Sequence, residues 1–352
     1  MRLSLLASLA CIGLLSAANA PLTSVYQNND FQITGVTVSK TGRLFVNFPR
    51  WSDKYLNAVM EVNKDGTAKP FPDEPWNRWD LKPPTAGQHF VCVQSVVIDD
   101  TDTFWALDPA APMLSTVVPG AAKLVRIDLK TNQVTRVYSF PADVAKPNSY
   151  LNDIRIDTKR NVAYITDSGA PGIVVIDLNS GKSHRALDGH ASTKAEQGIQ
   201  ISVNGKPVLG PTGKPPEFNS DGIALSHDGE YLYYQALTGA TLYRVKTSLL
   251  RDGNAGAGVE RVAKTFPVDG LWMDAQDRVY LSNINESAVY RLSKVGKLEK
   301  LAADPRLEWP DTFSQGPDGA IYITASHIND GPQYNHGKSP RTKPYEVFKF
   351  MP

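Results

Sequence analysis

Cysteine is almost absent from this sequence, which has two cysteines in 352 residues, Cys11 and Cys92. Cys11 lies in an N-terminal stretch that we expect to be removed on export, so the mature chain keeps one cysteine and cannot form an internal disulfide. Such a chain must be stabilised by its apolar core, and its length allows a large one. Cys92 lies in the apolar run at residues 90–93, which predicts a buried and unreactive thiol.

An excess of charge of one sign is also missing. The 37 Lys and Arg residues are balanced by 36 Asp and Glu residues, which gives a formal net charge of +1. A surface that binds phosphate backbones needs clustered Lys and Arg, so we expect no nucleic-acid partner. After the N-terminus no apolar run is long enough for a transmembrane helix, so we expect no membrane partner.

Several catalytic motifs are missing as well. The sequence has no G-x-S-x-G, no Walker loop, no H-E-x-x-H and no G-x-G-x-x-G before a helix. Motifs alone therefore leave open whether the chain is an enzyme.

The N-terminus, by contrast, is rich in apolar residues. A short positive region, an apolar stretch and a run of small residues predict a secretory signal peptide at residues 1–20. Cleavage is expected after Ala20 or, because Pro21 is a poor residue after a cut, after Ala18. The sequence thus predicts a secreted or periplasmic protein whose residues 21–352 form a single domain.

One two-strand pattern recurs six times. Each copy has a short alternating strand, a tight polar turn and a second strand rich in aromatic and β-branched residues, and most copies are followed by a second strand pair. Six such units predict an all-β fold, a six-bladed β-propeller, which residues 346–350 close by pairing with an N-terminal strand. An open solenoid or a two-sheet sandwich is the alternative, but a sandwich would not repeat one motif six times. The copies are residues 35–46, 94–107, 152–167, 220–237, 268–283 and 310–326.

Alignment of the six copies places one polar residue at the start of each inner strand. In a propeller these positions surround one mouth of the central channel. Three neighbouring carboxylates cannot all be ionised without compensation, so a proton or a cation must lie among them. Hard oxygen donors suit Ca²⁺ or, less well, Mg²⁺. The aligned residues are Thr34, Gln94, Asn152, Asp221, Asp269 and Asp311.

Two sets of candidates follow from this alignment. The candidate metal ligands are Asn152, Asp221 and Asp269. The candidate residues for binding a small-molecule ligand are Thr34, Gln94, Asn152 and Asp311. A structural interpretation remains open for Asp221 and Asp269, because Asp-Gly before a strand is also a turn signal.

His327 is the histidine that the repeat pattern places at the same mouth as Asp311. We assign it as a candidate catalytic acid or base, and a solvated loop histidine is the alternative. Loop aromatics at that mouth suit stacking on a flat aromatic ligand or a cationic amine, or else the packing of loops over the blades. These aromatic residues are Trp76, Trp79, Phe90 and Trp309.

Two stretches carry a family resemblance. SDGIALSHDGEYLYYQALTGATLYRVKTSLLRD at residues 220–252 and GVTVSKTGRLFVNFPRWSDKYLNAVMEV at residues 35–62 resemble signatures of the yellow / major royal jelly protein family. The resemblance extends over nearly the whole mature chain and implies a six-bladed, secreted propeller. The family includes pigment-pathway enzymes that act on dopachrome, salivary binders of biogenic amines and nutritive proteins. It therefore implies a fold more firmly than an activity.

Copies three to five are also similar to the gluconolactonase/regucalcin-like hydrolases, which bind a divalent cation at the channel mouth. That similarity implies that Asn152 is a metal ligand and that Asp269 is both a ligand and the base, while Asp221 stands where Asn is usual. The first-blade ligand Glu has no equivalent, because residues 31–35 read Phe-Gln-Ile-Thr-Gly. Asp311 is the residue that could supply the missing charge.

Three functions are compatible with the sequence. The first is binding of a small aromatic, amine or sugar-like molecule at the channel mouth. The second is cation-dependent hydrolysis of a lactone or ester, with Asp269 as general base. The third, implied by the family alone, is a tautomerase-like step on a quinone, with His327 or Asp311 moving protons. We favour the first and expect a monomer.

Overall fold

Regular structure in this protein is almost entirely β. The computed structural model describes residues 20–52, 54–80 and 82–352. The predicted signal peptide at residues 1–20 lies outside the described residues, apart from Ala20. The strands are β1 Thr23–Asn28, β2 Gly35–Val38, β3 Leu44–Asn47, β4 Val59–Val62, β5 Ala68–Pro70, β6 Ser95–Ile98, β7 Thr103–Asp108, β8 Lys123–Asp128, β9 Gln133–Ser139, β10 Leu151–Asp157, β11 Val162–Asp167, β12 Gly172–Asp177, β13 Ser183–Ala186, β14 Ser202–Val203, β15 Lys206–Pro207, β16 Ser220–Leu225, β17 Tyr231–Ala236, β18 Thr241–Lys246, β19 Glu260–Lys264, β20 Val268–Met273, β21 Val279–Asn283, β22 Ala288–Leu292, β23 Leu298–Ala303, β24 Pro310–Gln315, β25 Ile321–Ala325 and β26 Tyr345–Phe350.

Helical segments in the described residues are short. The α-helices are α1 Glu74–Asn77 and α2 Thr247–Arg251. The 3₁₀ turns are Pro83–Gln88, Pro112–Leu114, Ala191–Thr193, Gly256–Gly258, Ile328–Asp330 and Pro332–Tyr334. None of the helices in the described part of the chain is long and apolar enough to cross a membrane.

Of the 26 described strands, 24 form six four-stranded antiparallel blades, and β14 and β15 pair with each other as a separate hairpin. Five blades use consecutive strands, and we number them blade 1 (β2–β5), blade 2 (β6–β9), blade 3 (β10–β13), blade 4 (β16–β19) and blade 5 (β20–β23). Blade 6 combines β24, β25 and β26 with β1, which pairs with β26 as the outermost strand. The sequence-based prediction of a six-bladed β-propeller closed by both ends of the chain is therefore confirmed.

The innermost strands surround a central channel. Strands β2, β6, β10, β16, β20 and β24 each contact the next around a closed circle. Their neighbours cover both faces of each blade, so β2 and β11 are buried along their full length. Apolar side chains fill the space between blades. The Phe45 ring, for example, lies 4.7 Å from Phe71 and 5.1 Å from Phe104, which belongs to the next blade.

Four of the inner strands share an irregularity near their first residues. In β10, β16, β20 and β24 two residues face a single residue of the neighbouring strand, which is a β-bulge. A bulge redirects side chains and is frequent beside functional sites. The bulged pairs are Asn152-Asp153, Asp221-Gly222, Asp269-Gly270 and Asp311-Thr312.

Glycine is required in two of these bulges by the close approach of the next blade. A Cβ atom on Gly270 would lie 1.8 Å from the carbonyl oxygen of Asp311, and one on Gly222 would lie 2.5 Å from that of Asp269. Asp221-Gly222 and Asp269-Gly270 thus lie within strands. The two glycines allow neighbouring blades to come into contact. Asp-Gly in the sequence had instead suggested a turn before each strand.

Candidate functional site

A cavity of about 280 Å³ lies at the mouth of the channel, and three of the four bulges contribute to its lining. Its polar floor contains four of the six residues that the sequence alignment grouped: Gln94, Asn152, Asp221 and Asp269. Its aromatic walls are formed by Trp51, Tyr150, Phe218, Trp309 and Tyr334. The combination of apolar walls with a few convergent polar groups is typical of a small-molecule site.

Hydroxyl side chains on the second strands hold the bulges in place. The Ser282 hydroxyl accepts hydrogen bonds from the backbone amides of Asp269, at 3.2 Å, and Gly270, at 2.9 Å. The Thr166 hydroxyl accepts one from the amide of Asp153 at 3.1 Å. These bonds satisfy amides that the bulge removes from the strand ladder, and so they fix the direction of the acidic side chains.

A one-way chain of hydrogen bonds runs across the floor. The Trp51 indole donates to the Tyr150 hydroxyl at 2.6 Å, and that hydroxyl donates to Gln94 Oε1 at 2.9 Å. Gln94 Nε2 donates to Asn152 Oδ1 at 3.0 Å, and Asn152 Nδ2 donates to Asp221 Oδ2 at 2.6 Å. Hydrogen bonds aligned in this way reinforce one another. The chain therefore directs its final donor at Asp221.

Asp221 keeps one oxygen without a donor. Its Oδ1 is buried and finds no hydrogen-bond donor among the described residues. The Asp269 carboxyl lies within hydrogen-bonding reach of Asp221, and the Trp309 indole donates to Asp269 Oδ2 at 2.6 Å. A buried, unsatisfied carboxylate oxygen at the edge of a cavity is a natural position for a proton or a cationic group.

Burial changes the acidity of these groups. It raises the pKa of Asp269 to about 7; the charge of Asp153 adds to this rise, while hydrogen bonds with Trp309 and Asp221 oppose it. Burial followed by the charge of Asp269 raises the pKa of both Asp221 and Asp311 well above the usual range. The three acids cannot all be ionised near neutral pH without a cation among them.

The two remaining aligned residues do not reach the cavity lining. Thr34 is buried, and its hydroxyl donates to the backbone oxygen of Gln94 at 3.3 Å and accepts from Asn47 Nδ2 at 3.0 Å. It thereby links blades 1 and 2. Asp311 is also buried; its Oδ1 accepts from the Thr312 hydroxyl at 3.2 Å, and its Oδ2 has no partner in the described chain. Both residues are buried and lie outside the cavity lining.

His327 likewise does not line the cavity. His327 is 2% exposed, and its ring lies beside Glu308 and Asp330 behind the cavity wall. It is therefore neither the solvated loop histidine nor a group that contacts a ligand in the cavity. Its neighbour Ile328 does contribute to the wall.

Of the four loop aromatic residues that were candidates for ligand stacking, one lines the cavity and three do not. Trp309 lines the cavity, whereas Trp79 and Phe90 are buried in the apolar core and Trp76 packs against Phe90 with ring centroids 5.1 Å apart. For those three, packing over the blades is the observed role.

Most residues of the cavity walls were not predicted from the sequence. Trp51 belongs to the Phe-Pro-Arg-Trp motif quoted above, and Tyr150 lies two residues before Asn152, so both carried a local signal. Phe218 and Tyr334 come from long connections whose path over the mouth depends on the folded blades.

Arg155 is a further residue that the sequence analysis did not single out. It lies on β10, and its guanidinium donates to the backbone oxygens of Ile154, at 2.7 Å, and Leu271 of blade 5. The side chain thus crosses the channel below the floor. A second cavity, of about 500 Å³, opens at the other end of the channel, and its described lining shares no residue with the first. The two cavities therefore have separate linings at opposite ends of the channel.

The floor offers a divalent cation an incomplete set of ligands. Asp221, Asp269 and the amide oxygen of Asn152 are hard donors of the kind that Ca²⁺ prefers, but that amide oxygen already accepts from Gln94. Among the described residues, the carboxylates of Asp221, Asp269 and Asp311 do not form a group of three within 4.8 Å. These oxygen donors suit Ca²⁺, and water or a ligand would occupy the remaining coordination positions.

Comparison with known sequences identifies relatives. Residues 91–315 match the family model described as major royal jelly protein. The protein named "Protein yellow" from Drosophila madeirensis is 26% identical over 224 residues, which is 60% of this chain and 38% of that protein. "Protein yellow" from Drosophila melanogaster is 25% identical over 231 residues, which is 60% of this chain and 40% of that protein. The matches thus span about two fifths of the length of these curated relatives.

Comparison with solved structures gives the same fold. A gluconolactonase from Xanthomonas campestris superimposes with a TM-score of 0.59 at 12% identity, covering 95% of this chain and 90% of that one. A regucalcin from Agrobacterium tumefaciens, described as a calcium-binding protein, superimposes with a TM-score of 0.56 at 15% identity, covering 94% of both chains. At these identities the similarity establishes the propeller architecture alone.

Proposed function

The chain belongs to the major royal jelly protein family, and from that premise we propose that it is a binding protein for a small aromatic amine. The ligand's ammonium group would contact Asp221 and Asp269, and its ring would lie between Trp51 and Trp309. One observation carries the proposal: Asp221 Oδ1 is buried at the cavity without a donor from the described chain.

Charge favours a cation over a neutral or anionic ligand. Asp221 and Asp269 take part in none of the ion pairs found among the described residues. A cationic ligand would replace the proton that the two acids must otherwise retain, and it would gain hydrogen bonds to charged acceptors, which are stronger than neutral ones. An anion would meet two acids and no compensating cation on the cavity floor.

Shape favours a small aromatic ligand. The cavity volume of about 280 Å³ accommodates one ring with a short side chain. The faces of Trp, Tyr and Phe attract both aromatic rings and cations. Trp309 is held in place because its indole donates to Asp269, so the wall and the floor are fixed relative to each other.

Calorimetric titration with two matched molecules tests the proposal. We expect 2-phenylethylamine to bind the wild-type protein at pH 8 and 2-phenylethanol, which has the same ring without the charge, to bind at least ~10-fold more weakly. Asp221→Asn, which keeps the shape and removes the charge, should weaken amine binding by a similar factor. Asp252→Asn changes an exposed acid outside the cavity lining and serves as the control that should leave binding unchanged. Equal affinity for the amine and the alcohol, or full affinity in Asp221→Asn, would contradict the proposal.

A hydrolase is the second candidate, and the acidity of Asp269 favours it. A general base works best when its pKa is close to the working pH, and the pKa of Asp269 is raised to about 7. When bound at Asn152, Asp221 and Asp269, Ca²⁺ or Mg²⁺ would supply the positive charge that polarises a carbonyl group. Asp269 would accept the proton of the attacking water. Tautomerisation gains no comparable support, because His327 and Asp311 do not line the cavity.

Lactone and ester hydrolysis with added calcium or with chelator separates the two candidates. If the chain is a hydrolase, activity should need the cation and be lost in Asp269→Asn. Absence of cation-dependent hydrolysis in a protein that binds the amine would leave the binding function alone.

A further inference from the structure

A second group of ionisable side chains lies behind the cavity wall. Glu308 lies two residues before β24, and His327 lies two residues after β25. Together with Asp330, each offers one atom that could bind a metal, and these three atoms lie within 4.8 Å of one another. His327 Nδ1 is 3.6 Å from Asp330 Oδ2 and 3.9 Å from Glu308 Oε2. These distances are too long for hydrogen bonds.

The histidine itself points to a ligand that the protein alone does not supply. The His327 side chain is 3% exposed, and neither ring nitrogen has a hydrogen-bond partner among the described residues. A buried imidazole normally finds at least one partner. Here Nδ1 faces two carboxylates, both largely buried, across a gap that no protein atom bridges.

The spacing suits a small dication. Zinc bonds to imidazole nitrogen and carboxylate oxygen measure about 2.0–2.2 Å, which places tetrahedral ligand atoms roughly 3.4 Å apart. The distances from His327 to the two acids exceed this separation by a few tenths of an ångström. One neutral imidazole with two carboxylates would also balance the charge of a dication, whereas the acids without one would leave buried negative charge.

Neighbouring amides orient the carboxylates. Asn329 Nδ2 donates to Glu308 Oε1 at 2.6 Å and to Asp330 Oδ1 at 3.1 Å. Asn204, in the turn between β14 and β15, donates to Glu308 Oε2 at 3.1 Å. Hydrogen bonds of this kind hold ligating carboxylates in position around metals. They also leave Asp330 Oδ2 free to face His327.

We infer that Glu308, His327 and Asp330 form a structural zinc site, with water or Asn329 completing the coordination. The side chain of Asp330 is 17% exposed, which gives an ion a route from solvent. The site would tie the segment after β25 to the segment before β24. Since Trp309 follows Glu308 and Ile328 follows His327, zinc would secure two residues of the cavity wall while remaining outside the cavity.

Zinc content and binding of untagged, metal-stripped protein test this inference. We expect a single Zn²⁺ per chain in the wild-type protein, with a rise in melting temperature on adding the metal. Co²⁺ should give visible absorption bands that indicate nitrogen and oxygen ligation. Asp330→Asn, a conservative change at a partly exposed residue, should abolish stoichiometric binding without unfolding the chain, and so should His327→Gln.

Two controls isolate the site from other zinc-binding groups. His336→Gln alters an exposed histidine of the same connection, and Asp221→Asn alters the channel mouth; both should retain one Zn²⁺ per chain. The inference is overturned if the folded wild-type protein takes up no Zn²⁺. It is also overturned if Asp330→Asn and His327→Gln bind Zn²⁺ as the wild type does, or if Asp221→Asn alone abolishes binding.

Discussion

Among individual residues, the buried acids of the channel mouth have the largest consequences. Asp221, Asp269 and Asp311 lie in positions where burial favours the protonated form. A cationic ligand must therefore displace the protons that these acids retain, in addition to water. Amine affinity should accordingly increase as pH rises through about 7, the pKa of Asp269, for as long as the amine stays protonated.

The stability of the ligand-free protein should change with pH in the opposite sense. The pKa of Asp269 is about 7 in the folded state, against 3.8 for an ordinary aspartic acid side chain, so the folded state binds more protons between these values. The contribution of Asp269 to the free energy of unfolding is greatest below the lower of these two pKa values, and it is lost as pH rises towards 7. We expect the melting temperature, measured without divalent cations, to fall across this window. Asp269→Asn, which can still accept the Trp309 hydrogen bond, should reduce the slope and melt higher than the wild type at pH 8; an unchanged slope would exclude this explanation.

Among the elements, the bulged inner strands decide the geometry of the site. The repeats in the sequence located all four of these strands and placed Asn152, Asp221 and Asp269 at one mouth, because apolar alternation and turn chemistry are local properties. The bulges themselves were not predicted. They depend on how closely one blade approaches the next, as at Gly270 and the Asp311 carbonyl, and this distance is set only by the assembled ring.

Loop-borne residues were beyond prediction for a related reason. Tyr334 lies in the connection between β25 and β26, and Phe218 lies at the end of the one between β13 and β16. Both reach the cavity only because folding of the blades brings the two connections over the same mouth. His327 could be assigned to that side of the propeller from the repeats, but its burial against Glu308 could not.

Replacement of Gly270 tests the importance of the blade-to-blade approach. In Gly270→Ala the new methyl group would lie 1.8 Å from the Asp311 carbonyl oxygen, so blades 5 and 6 must separate. We expect a loss of roughly 3 kcal/mol or more, at the severe end for core overpacking. Denaturant unfolding measures this change. Gly256→Ala, whose added Cβ would have no atom within 4 Å, is the matched control, and equal stability of the two variants would refute the interpretation.

At the scale of the whole molecule, the two ends of the chain close the ring. Glu346 on β26 accepts hydrogen bonds from Ser24 at 2.9 Å and Gln27 at 2.7 Å, in addition to the backbone ladder between β1 and β26. That residues 21–352 act as a single cooperative domain remains a prediction.

Removal of β1 tests this cooperativity. A chain that begins after Asn28 would expose the edge of β26, and exposed edges invite aggregation. We expect a markedly lower melting temperature and a tendency to aggregate, as measured by calorimetry and light scattering. Removal of Met351 and Pro352, which are exposed and lie beyond β26, should change neither. A truncated chain that melts like the full chain would show that the blades are stable without closure.

Arg155 lies on the side of the channel that faces the second cavity, and its guanidinium reaches across to Leu271 of blade 5. We therefore expect a ligand at Asp221 and Asp269 to enter and leave through the same mouth. The rim around Trp51, Phe218 and Tyr334 would then govern its residence time. Because the opposite opening has a lining of its own, a molecule bound there would not compete for the residues of the first cavity.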